Sequence, residues 1–330
     1  MKRSTWKKSG KLLFLILSSA LVIILSWYTF FRIMSQRNAT KVYEIHRQGH
    51  IRSSPDKDIL KIGSFNIAHG RGKVKGATNW QERTKAQLLH HLAAIAKQIQ
   101  EANLDIIVLN EVDFSAAWSF HVNQVEFIAT QAGYQYVAEQ RNIDVSFPFY
   151  NFKFGNAILS HYPIVDDQFL NFPPYSQRED IFAGNHDGLL SVIQTPRGQI
   201  GVVAIHLEYR SEDIRVLCAR QLEEFCRQFQ FPIIAAGDFN STPIGFPGAH
   251  STTSRMNAIT YLLSDGGFNS YSGISRDSQY YTFPSEQPEI IIDWVLGKGD
   301  ISMLDLKVVH SHLSDHFMIT AKLQLEPIKK

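Results

Sequence analysis

Short apolar segments of strand length alternate, from residue 59 to residue 324, with segments of helical periodicity. Apolar residues spaced three and four apart in residues 80–103 indicate an amphipathic helix, and shorter helices are predicted at 122–132, 212–229 and near 254–263. Mixed strands and helices in this order predict an α+β fold in which a sheet sandwich is covered by helices. The predicted strands are "ILKIGSFNI", "DIIVLNEV", "GNAILS", "LLSVIQT", "IGVVAIHLE", "FPIIAAGDFN", "IIDWVLG", "ISMLDLKVV" and "FMITAKLQL".

An uncharged run of 20 residues, Leu12–Phe31, precedes these elements. About 20 apolar residues in a helix cross a hydrocarbon core of ~30 Å. A cleaved signal peptide is the alternative, but its apolar region is normally ~7–15 residues, and this run closes with "SWYTFF", which suits a membrane interface. Residues 1–11 contain five basic residues and no acidic one. We therefore predict a basic cytoplasmic flank (1–11), a single transmembrane anchor (12–31) and an extracytoplasmic remainder.

Residues 32–57 are polar and basic without a clear period, which predicts a linker, and residues 58–326 form the predicted globular domain. Residues 58–330 contain 22 Lys+Arg and 29 Asp+Glu, a net charge of −7. This balance does not favour nucleic acid as a partner, although a local basic patch remains compatible with it. Both cysteines, Cys218 and Cys226, fall in one predicted helix about 12 Å apart, too far for a disulfide. No zinc cluster and no protein partner can be inferred.

Polar residues stand at the ends of several apolar segments. Asp238 and Asn240 end "IIAAGDFN" two residues apart, and Asp293 stands inside "IIDWVL". Each has an ordinary explanation alone, since Asn forms turns, Asp caps helices and a lone core His is often just hydrogen-bonded. A buried carboxylate, however, requires a partner or a function, because burying it alone costs several kcal/mol. The other members of the set are Asn66, Asn110, Glu111, His206, Asp315 and His316.

This set of side chains has a definite chemistry if the fold brings it into one cleft. Carboxylates and amides without cysteine suit a hard divalent cation such as Mg²⁺ or Mn²⁺. Histidines beside carboxylates suit acid–base catalysis or stabilisation of an anionic transition state. Together they predict metal-assisted hydrolysis of a phosphate ester, in which Asp238 activates a water.

At this point the chain resembles the endonuclease/exonuclease/phosphatase superfamily, the fold of pancreatic-type deoxyribonuclease, apurinic endonucleases, inositol-phosphate phosphatases and neutral sphingomyelinases. Seven segments match in the family's order over residues 59 to about 324. The resemblance implies a four-layer α/β/β/α sandwich of two mixed sheets and makes 58–326 the catalytic domain. The matching segments are "SFNIAHGRG", "IIVLNEVD", "FGNAILSHYPI", "VVAIHLE", "IIAAGDFNSTP", "IIDWVL" and "LSDHFMI".

The resemblance also implies roles for the residues that match. Glu111 is the principal metal ligand beside Asn66, and Asp315 supports the metal site. Asp238 orients or deprotonates the attacking water. The remaining roles are these: Asn240 holds the water or phosphate, His206 contacts the phosphate, His316 stabilises the transition state, Asp293 orients His316, and Asn156 lines the cleft.

Two features of the "IAHGRG" segment qualify this picture. Ala68 stands where some of the nucleases carry an acidic metal ligand, which leaves one fewer candidate ligand for a second metal. Arg71 in the Gly-rich loop is a candidate phosphate-binding residue, with a plain turn as the alternative.

The fold does not fix the substrate. Aromatic residues cluster at 145–154 and 169–175 without interleaved basic residues. These loops could lean on a membrane surface near the cleft, or pack onto the sandwich. An anchor raises the effective concentration of membrane-proximal substrates. We therefore favour a lipid or small-molecule phosphodiester over DNA or RNA, with a tethered nuclease and a catalytically inactive binding module as the alternatives.

Overall fold

The computed structural model of this 330-residue chain describes residues 2–37, 39–45, 59–72, 83–147, 150–178, 180, 184, 186–252 and 255–325. The later half of the predicted linker and the beginning of the predicted helix 80–103 lie outside these residues. So does residue 254 of the helix predicted near 254–263. The side chains of the predicted basic flank, up to residue 9, are also outside the description.

The described elements follow the predicted alternation of strands and helices. The α-helices are α1 (Lys2–Arg37), α2 (Lys85–Ala102), α3 (Gln124–Ala132), α4 (Glu212–Cys226) and α5 (Ala258–Ser264). The strands are β1 (Thr40–Glu44), β2 (Ile59–Asn66), β3 (Ile106–Asp113), β4 (Tyr136–Phe147), β5 (Tyr150–Ser160), β6 (Ile164–Leu170), β7 (Gly188–Thr195), β8 (Gly198–His206), β9 (Ile233–Asp238), β10 (Phe268–Asn269), β11 (Asp293–Lys298), β12 (Ile301–Val309) and β13 (Met318–Leu325).

The strands form two mixed sheets. The first has the order β1-β4-β5-β3-β2-β13-β12, and the second has the order β10-β11-β9-β8-β7-β6. Each sheet contains one parallel pair near its centre, β2 with β3 and β8 with β9, while the other neighbours are antiparallel. Because parallel strands end at the same edge of a sheet, each sheet presents two carboxyl-terminal strand ends side by side.

Three apolar layers hold the elements together. One lies between the first sheet and helices α2 and α3, and includes Leu92 and Ile95. A second lies between the two sheets, where Ile62 meets Ala204 and Ile234. The third lies between the second sheet and helices α4 and α5. The predicted four-layer α/β/β/α sandwich is therefore confirmed.

Local sequence explains where the helices begin. The Thr84 hydroxyl accepts a hydrogen bond from the main-chain N–H of Gln87, whose side chain accepts one from the main-chain N–H of Thr84. This reciprocal pair satisfies main-chain donors that a helix start leaves unpaired. Asn123, Ser211 and Asn257 cap α3, α4 and α5 through a single side-chain acceptor each.

Two segments at the edge of the first sheet differ from the sequence-based prediction. Residues 40–44 of the predicted linker form β1, which pairs with β4 from Thr40–Gln140 to Glu44–Tyr136. The linker prediction therefore does not hold for these five residues, because the edge of β4 offers them backbone partners. The sequence predicts a loop for the aromatic segment 145–154, but its described residues continue β4 and β5 as a hairpin in which Ser146 pairs with Asn151.

Helix α1 carries the predicted anchor. Its residues Gly10–Met34 are long and apolar enough to cross a membrane, a test that a signal sequence near the N-terminus also passes. The apolar side chains of this segment are exposed, with Phe14 70% and Ile23 64% accessible. No residue of the most apolar 18-residue window of this segment is buried.

Candidate active site

The polar ends of the two parallel strand pairs meet across the sandwich. Asn66 and Asn110 are register partners in the first sheet, and His206 and Asp238 are register partners in the second. The amide nitrogen of Asn66 donates to Glu111 Oε1 (3.1 Å) and to Asp238 Oδ2 (3.2 Å), so one side chain joins the two sheets. The strand ends that the sequence singles out therefore lie together at one edge of the sandwich.

Glu111 reaches the cleft because β3 is irregular at this point. The pairing of β3 with β5 shifts register between Leu109 and Val112, and Glu111 has a left-handed φ of 51°. A bulge of this kind re-aims a side chain at the edge of a sheet. As a result, Asn110 is fully buried between the sheets, whereas the Glu111 side chain is 25% exposed to the cleft.

The carboxylate of Glu111 lies among basic groups. Its Oε2 is 3.4 Å from His69 Nε2 and 3.5 Å from an Arg71 guanidinium nitrogen, and its Oε1 is 4.0 Å from His206 Nε2. Burial would raise the pKa of Glu111, but the charges of His69, His206, His316 and Arg71 lower it to about 2. The group is therefore an anion at neutral pH.

Asp238 is held at the end of β9 by its neighbours in the chain. A Cβ at Gly237 would lie 1.8 Å from the carbonyl oxygen of Ile205, so only glycine allows β8 and β9 to approach there. Asp238 Oδ1 accepts the main-chain N–H of Asn240 (2.9 Å), which fixes the carboxylate. Its Oδ2 lies 3.7 Å from Nε2 of both His206 and His316.

His316 and Asp293 form a buried pair on the far side of Asp238. His316 Nδ1 is 3.0 Å from Asp293 Oδ2, and both residues are at most 5% exposed. Burial would lower the pKa of His316, but the carboxylates of Asp293 and Asp238 raise it to about 10. The imidazole therefore presents a positively charged Nε2 donor to the cleft.

Other predicted residues occupy less direct positions. Asp315 lines the cleft, and its Oδ1 accepts the Ser314 hydroxyl (3.2 Å). The amide nitrogen of Asn240 donates to the Leu207 carbonyl (2.9 Å). Arg71 lies beside Glu111 and donates through Nε to the Ala68 carbonyl (2.9 Å).

Asn156 and Asn66 differ from their predicted environments. Asn156 is fully buried and is not a lining residue: its amide contacts Asn110, the Gln140 side chain and the Asp187 carbonyl. Asn66 turns its N–H donors toward the carboxylates, while its oxygen accepts the Ala68 N–H (3.0 Å). A metal bond from Asn66 would therefore require its amide to rotate, and its role as a metal ligand stays a prediction.

Sequence reasoning missed two supporting residues, Asp113 and His186, and assigned no role to a third, Asn110. Asp113 Oδ1 is 2.7 Å from His69 Nδ1, so it orients the ring that touches Glu111. Asn110 bridges the sheets by accepting the Asp238 N–H (3.0 Å) and donating to the Ile205 carbonyl (2.9 Å). His186 stacks edge-on against His206, with ring centroids 4.8 Å apart. A signal for Asp113 is present in the sequence, because "NEVD" places this carboxylate two residues after Glu111.

The cleft has a volume of about 590 Å³, within the range of small-molecule sites. Its floor is formed by Glu111, His206, Asp238 and His316, and its walls include Tyr209, Arg215 and Phe283. Two carboxylates, Glu111 and Asp238, share one amide donor at this floor. Concentrated oxygen donors of this kind fit a hard divalent cation.

A second grouping could also hold a cation. Ligand atoms of Asp238, Asp293 and His316 all lie within 4.8 Å of one another. Asp293, however, already pairs with His316 Nδ1, and a protonated imidazole cannot ligate a metal. We therefore favour Glu111, which is ionised and open to the cleft, as the principal metal ligand.

The fold and the site together define a class of proteins: sandwich hydrolases that cleave phosphoric esters with carboxylate, amide and imidazole groups. The model of the Endonuclease/Exonuclease/phosphatase family matches residues 63–316. The chain belongs to this family, and the predicted recognition is confirmed. It is therefore a hydrolase that acts on phosphoric ester bonds.

Solved structures support the fold. An endonuclease/exonuclease/phosphatase from Bacteroides vulgatus is 15% identical with a TM-score of 0.59, covering 82% of this chain and 100% of that one. The catalytic domain of human Nocturnin, solved with a bound sulfate anion, is 15% identical with a TM-score of 0.57, covering 88% and 98%. A functionally unknown conserved protein from Enterococcus faecalis V583 is 16% identical with a TM-score of 0.56, covering 81% and 100%. Comparison of the sequence with curated proteins gives no match.

Proposed function

We propose that this chain is a membrane-anchored, divalent-cation-dependent phosphodiesterase whose substrate is a lipid or small-molecule phosphodiester. The observation that carries the proposal is the meeting of Glu111 and Asp238 at one amide, with His206 and His316 each 3.7 Å from the same Asp238 oxygen. This arrangement places an anionic base next to two imidazole donors, as the cleavage of an anionic ester requires.

Glu111 is the proposed principal ligand of Mg²⁺ or Mn²⁺, with Asp315 in support. When bound, such a cation neutralises charge on a phosphoryl oxygen. The chain's own groups do the remaining work. Asp238 holds a water and accepts its proton as the water oxygen attacks phosphorus and the bond to the leaving oxygen breaks.

His316 is the proposed stabiliser of the transition state. Asp293 holds its ring through Nδ1, so Nε2 points at the place where negative charge develops on the phosphoryl oxygens. His206 is placed to contact the phosphate from the β8 side, and Asn240 fixes the Asp238 carboxylate through its main-chain N–H. Donors fixed in advance in this way cost no reorganisation during the reaction.

The anchoring part of the proposal rests on α1. An exposed apolar helix of this length is stabilised by a bilayer, and the basic flank favours a cytoplasmic N-terminus with the domain on the far side. A tethered endonuclease or exonuclease for DNA or RNA is the alternative enzyme. The net charge of −7 on residues 58–330 speaks against it.

The test uses the full chain in detergent with bis-p-nitrophenyl phosphate, in EDTA, Mg²⁺ or Mn²⁺, with plasmid DNA, RNA and phospholipid vesicles in parallel. We expect metal-dependent turnover that falls by about 10²–10³ or more in Asp238→Asn and in His316→Gln. Matched controls are the exposed Asp166→Asn and His90→Gln, which should retain activity. Turnover that survives EDTA, or that survives both site substitutions, would refute the mechanism. Binding of metal without turnover of any phosphate ester would favour the inactive binding module.

A further inference from the structure

The active-site edge of the sandwich is the edge to which helix α1 attaches. Strand β4 runs toward this edge, and the β4–β5 hairpin continues past it, because Phe154 pairs with Asp113 while Tyr150 lies four residues further out. At about 3.4 Å per residue, the hairpin projects roughly 14 Å beyond Asp113. We define the active-site edge as the carboxyl ends of β2, β3, β8 and β9 together with the described residues of this hairpin and of the segment between β6 and β7.

Helix α1 contacts two parts of the active-site edge, the β4–β5 hairpin and the segment between β6 and β7. The indole Nε1 of Trp27 donates to the carbonyl of Ser146 in the hairpin (2.7 Å). The Arg32 guanidinium donates to the main-chain carbonyl of Asp180 and lies 3.4 Å from its carboxylate. Asp180 belongs to the segment between β6 and β7, whose ends Leu170 and Gly188 are paired at the same edge.

The connection between α1 and the domain is short. Ala39 accepts the main-chain N–H of Arg141, and β1 then runs along β4 away from the active-site edge. The chain therefore enters the domain at this edge, two residues after α1 ends at Arg37. A long tether would allow any orientation of the domain, but two side-chain contacts and a two-residue connection restrict it.

The depth of these contacts along the helix is informative. From Leu12 to Trp27, α1 rises about 22 Å, and from Leu12 to Phe31 it rises about 29 Å, close to the ~30 Å hydrocarbon core. The Trp27–Ser146 contact therefore lies near the end of the span, where indole rings favour the interface between hydrocarbon and headgroups. The hairpin and the cleft beside it are consequently on the bilayer side of the domain.

Aromatic side chains connect the hairpin to the site. Trp118 packs against Phe152 and Phe154, with ring centroids 5.5 and 5.6 Å apart, and its indole donates to Asp113 Oδ2 (2.9 Å). Asp113 orients His69, which in turn touches Glu111. The hairpin is thus rigidly joined to the metal-ligand side of the cleft.

From these observations we propose that α1 docks the active-site edge against the bilayer, so that the cleft takes phosphodiester headgroups of lipids in the leaflet it faces. This inference rests on the proposed function for its chemistry and on α1 as an anchor for its geometry. It goes beyond tethering, because it assigns one orientation and one source of substrate.

Orientation is tested with two matched single-cysteine variants of the full chain, Gln177→Cys and Gln199→Cys. Both glutamines are exposed; the first lies between β6 and β7 at the active-site edge, and the second opens β8 at the opposite edge. The native Cys218 and Cys226 are 2% exposed, and burial raises the pKa of each thiol to about 12, so a thiol-reactive fluorophore labels only the introduced cysteine.

The labelled proteins are reconstituted into phosphatidylcholine vesicles that carry a nitroxide on a fraction of the headgroups. We expect quenching at position 177 to exceed that at position 199 by at least about threefold, since the two labels lie at opposite edges of the sheet and β8 alone spans roughly 26 Å at ~3.3 Å per residue. Adding Trp27→Ala and Arg32→Ala together should reduce this difference. Equal quenching at both positions, or stronger quenching at 199, would overturn the inference, as would release of the full chain from membranes by alkaline carbonate.

Substrate source is tested separately with the same vesicles. Phosphatidylcholine is placed in a non-hydrolysable ether-phosphonate lipid host, either in the vesicle that carries the protein or in separate vesicles without protein. Headgroup release should be at least tenfold faster in the first arrangement. Two results would overturn the inference and leave the proposed function standing, provided that bis-p-nitrophenyl phosphate is hydrolysed. One is an equal rate of lipid hydrolysis in the two vesicle arrangements, and the other is no lipid hydrolysis at all. Absence of turnover on every ester would instead remove the proposed function, and the quenching difference would still support the docked orientation.

Discussion

Replacement of Asn110 by alanine should destabilise the whole sandwich, although Asn110 makes no contact with substrate in our proposal. Its side chain accepts the N–H of Asp238 and donates to the carbonyl of Ile205 and to Asn156, all in fully buried surroundings. Each buried polar group left without a partner costs about 1–3 kcal/mol. Two main-chain groups, the Asp238 N–H and the Ile205 carbonyl, lose this partner, so at about 1–3 kcal/mol each we expect a loss of about 2–6 kcal/mol.

This loss is large compared with the ~5–15 kcal/mol that stabilises a typical domain. The assay is urea unfolding of the full chain in detergent, with the midpoint and the m-value fitted together. The exposed Asn171→Ala is the control and should change the unfolding free energy by less than about 0.5 kcal/mol. A loss of 1 kcal/mol or less in Asn110→Ala, at unchanged m-value, would show that the bridge between the sheets does not stabilise the fold as argued.

Three further predictions concern the site and its surroundings. Glu111→Gln should weaken Mn²⁺ binding, measured by calorimetry on protein that remains folded, by at least tenfold, because the amide carries no negative charge for the cation. Unaltered affinity would remove Glu111 as the principal ligand. Tyr43→Ala should lower the free energy of urea unfolding by about 2 kcal/mol, because this β1 side chain packs against the apolar layer beneath the first sheet and donates to Glu139 (2.6 Å). The same substitution in a free linker would leave the free energy of unfolding almost unchanged. Burial is the main cause, and the neighbouring His206 the second, that lowers the pKa of His186 to about 3, from about 6.5 in the unfolded chain. Between these two values the unfolded state binds a proton that the folded state does not, so stability falls as pH drops below 6.5. Between pH 7 and 5 this single group accounts for up to about 2 kcal/mol, and His186→Gln should flatten the pH profile of unfolding by that amount.

The central strands and their polar ends could be predicted from the sequence because the signal there is local. Apolar runs such as "IIVLNEVD" are buried on both faces, so they read as uninterrupted, and a carboxylate at the end of such a run is conspicuous. The order of the matching segments then predicts the fold. For these reasons Glu111, Asp238 and His316 can be grouped from the sequence alone.

The edge of the first sheet could not be predicted in the same way. β4 contains the polar run Glu139, Gln140, Arg141 and Asn142, which hides its strand character, because the partners that satisfy these side chains are distant in sequence. Gln140, for example, accepts from Asn156, and Glu139 pairs with Arg141 and with Tyr43 of β1. β1 itself is short and borrows its structure from the exposed edge of β4. Contacts of this kind carry no local signal.

The conformation of the site residues is the part of the structure furthest from sequence reasoning. His69, Glu111 and Asn240 have φ values of 55°, 51° and 49°, in the left-handed region that residues other than glycine avoid at a cost of about 1–2 kcal/mol each. Such strain persists only where surrounding bonds over-determine the backbone. Here the surrounding bonds are those of Asn66 and of the Asp238 carboxylate, which join residues from both sheets to one point of the cleft. The same bonds that position the proposed catalytic groups therefore hold the strained backbone in place, so the fold maintains the site at the expense of part of its own stability.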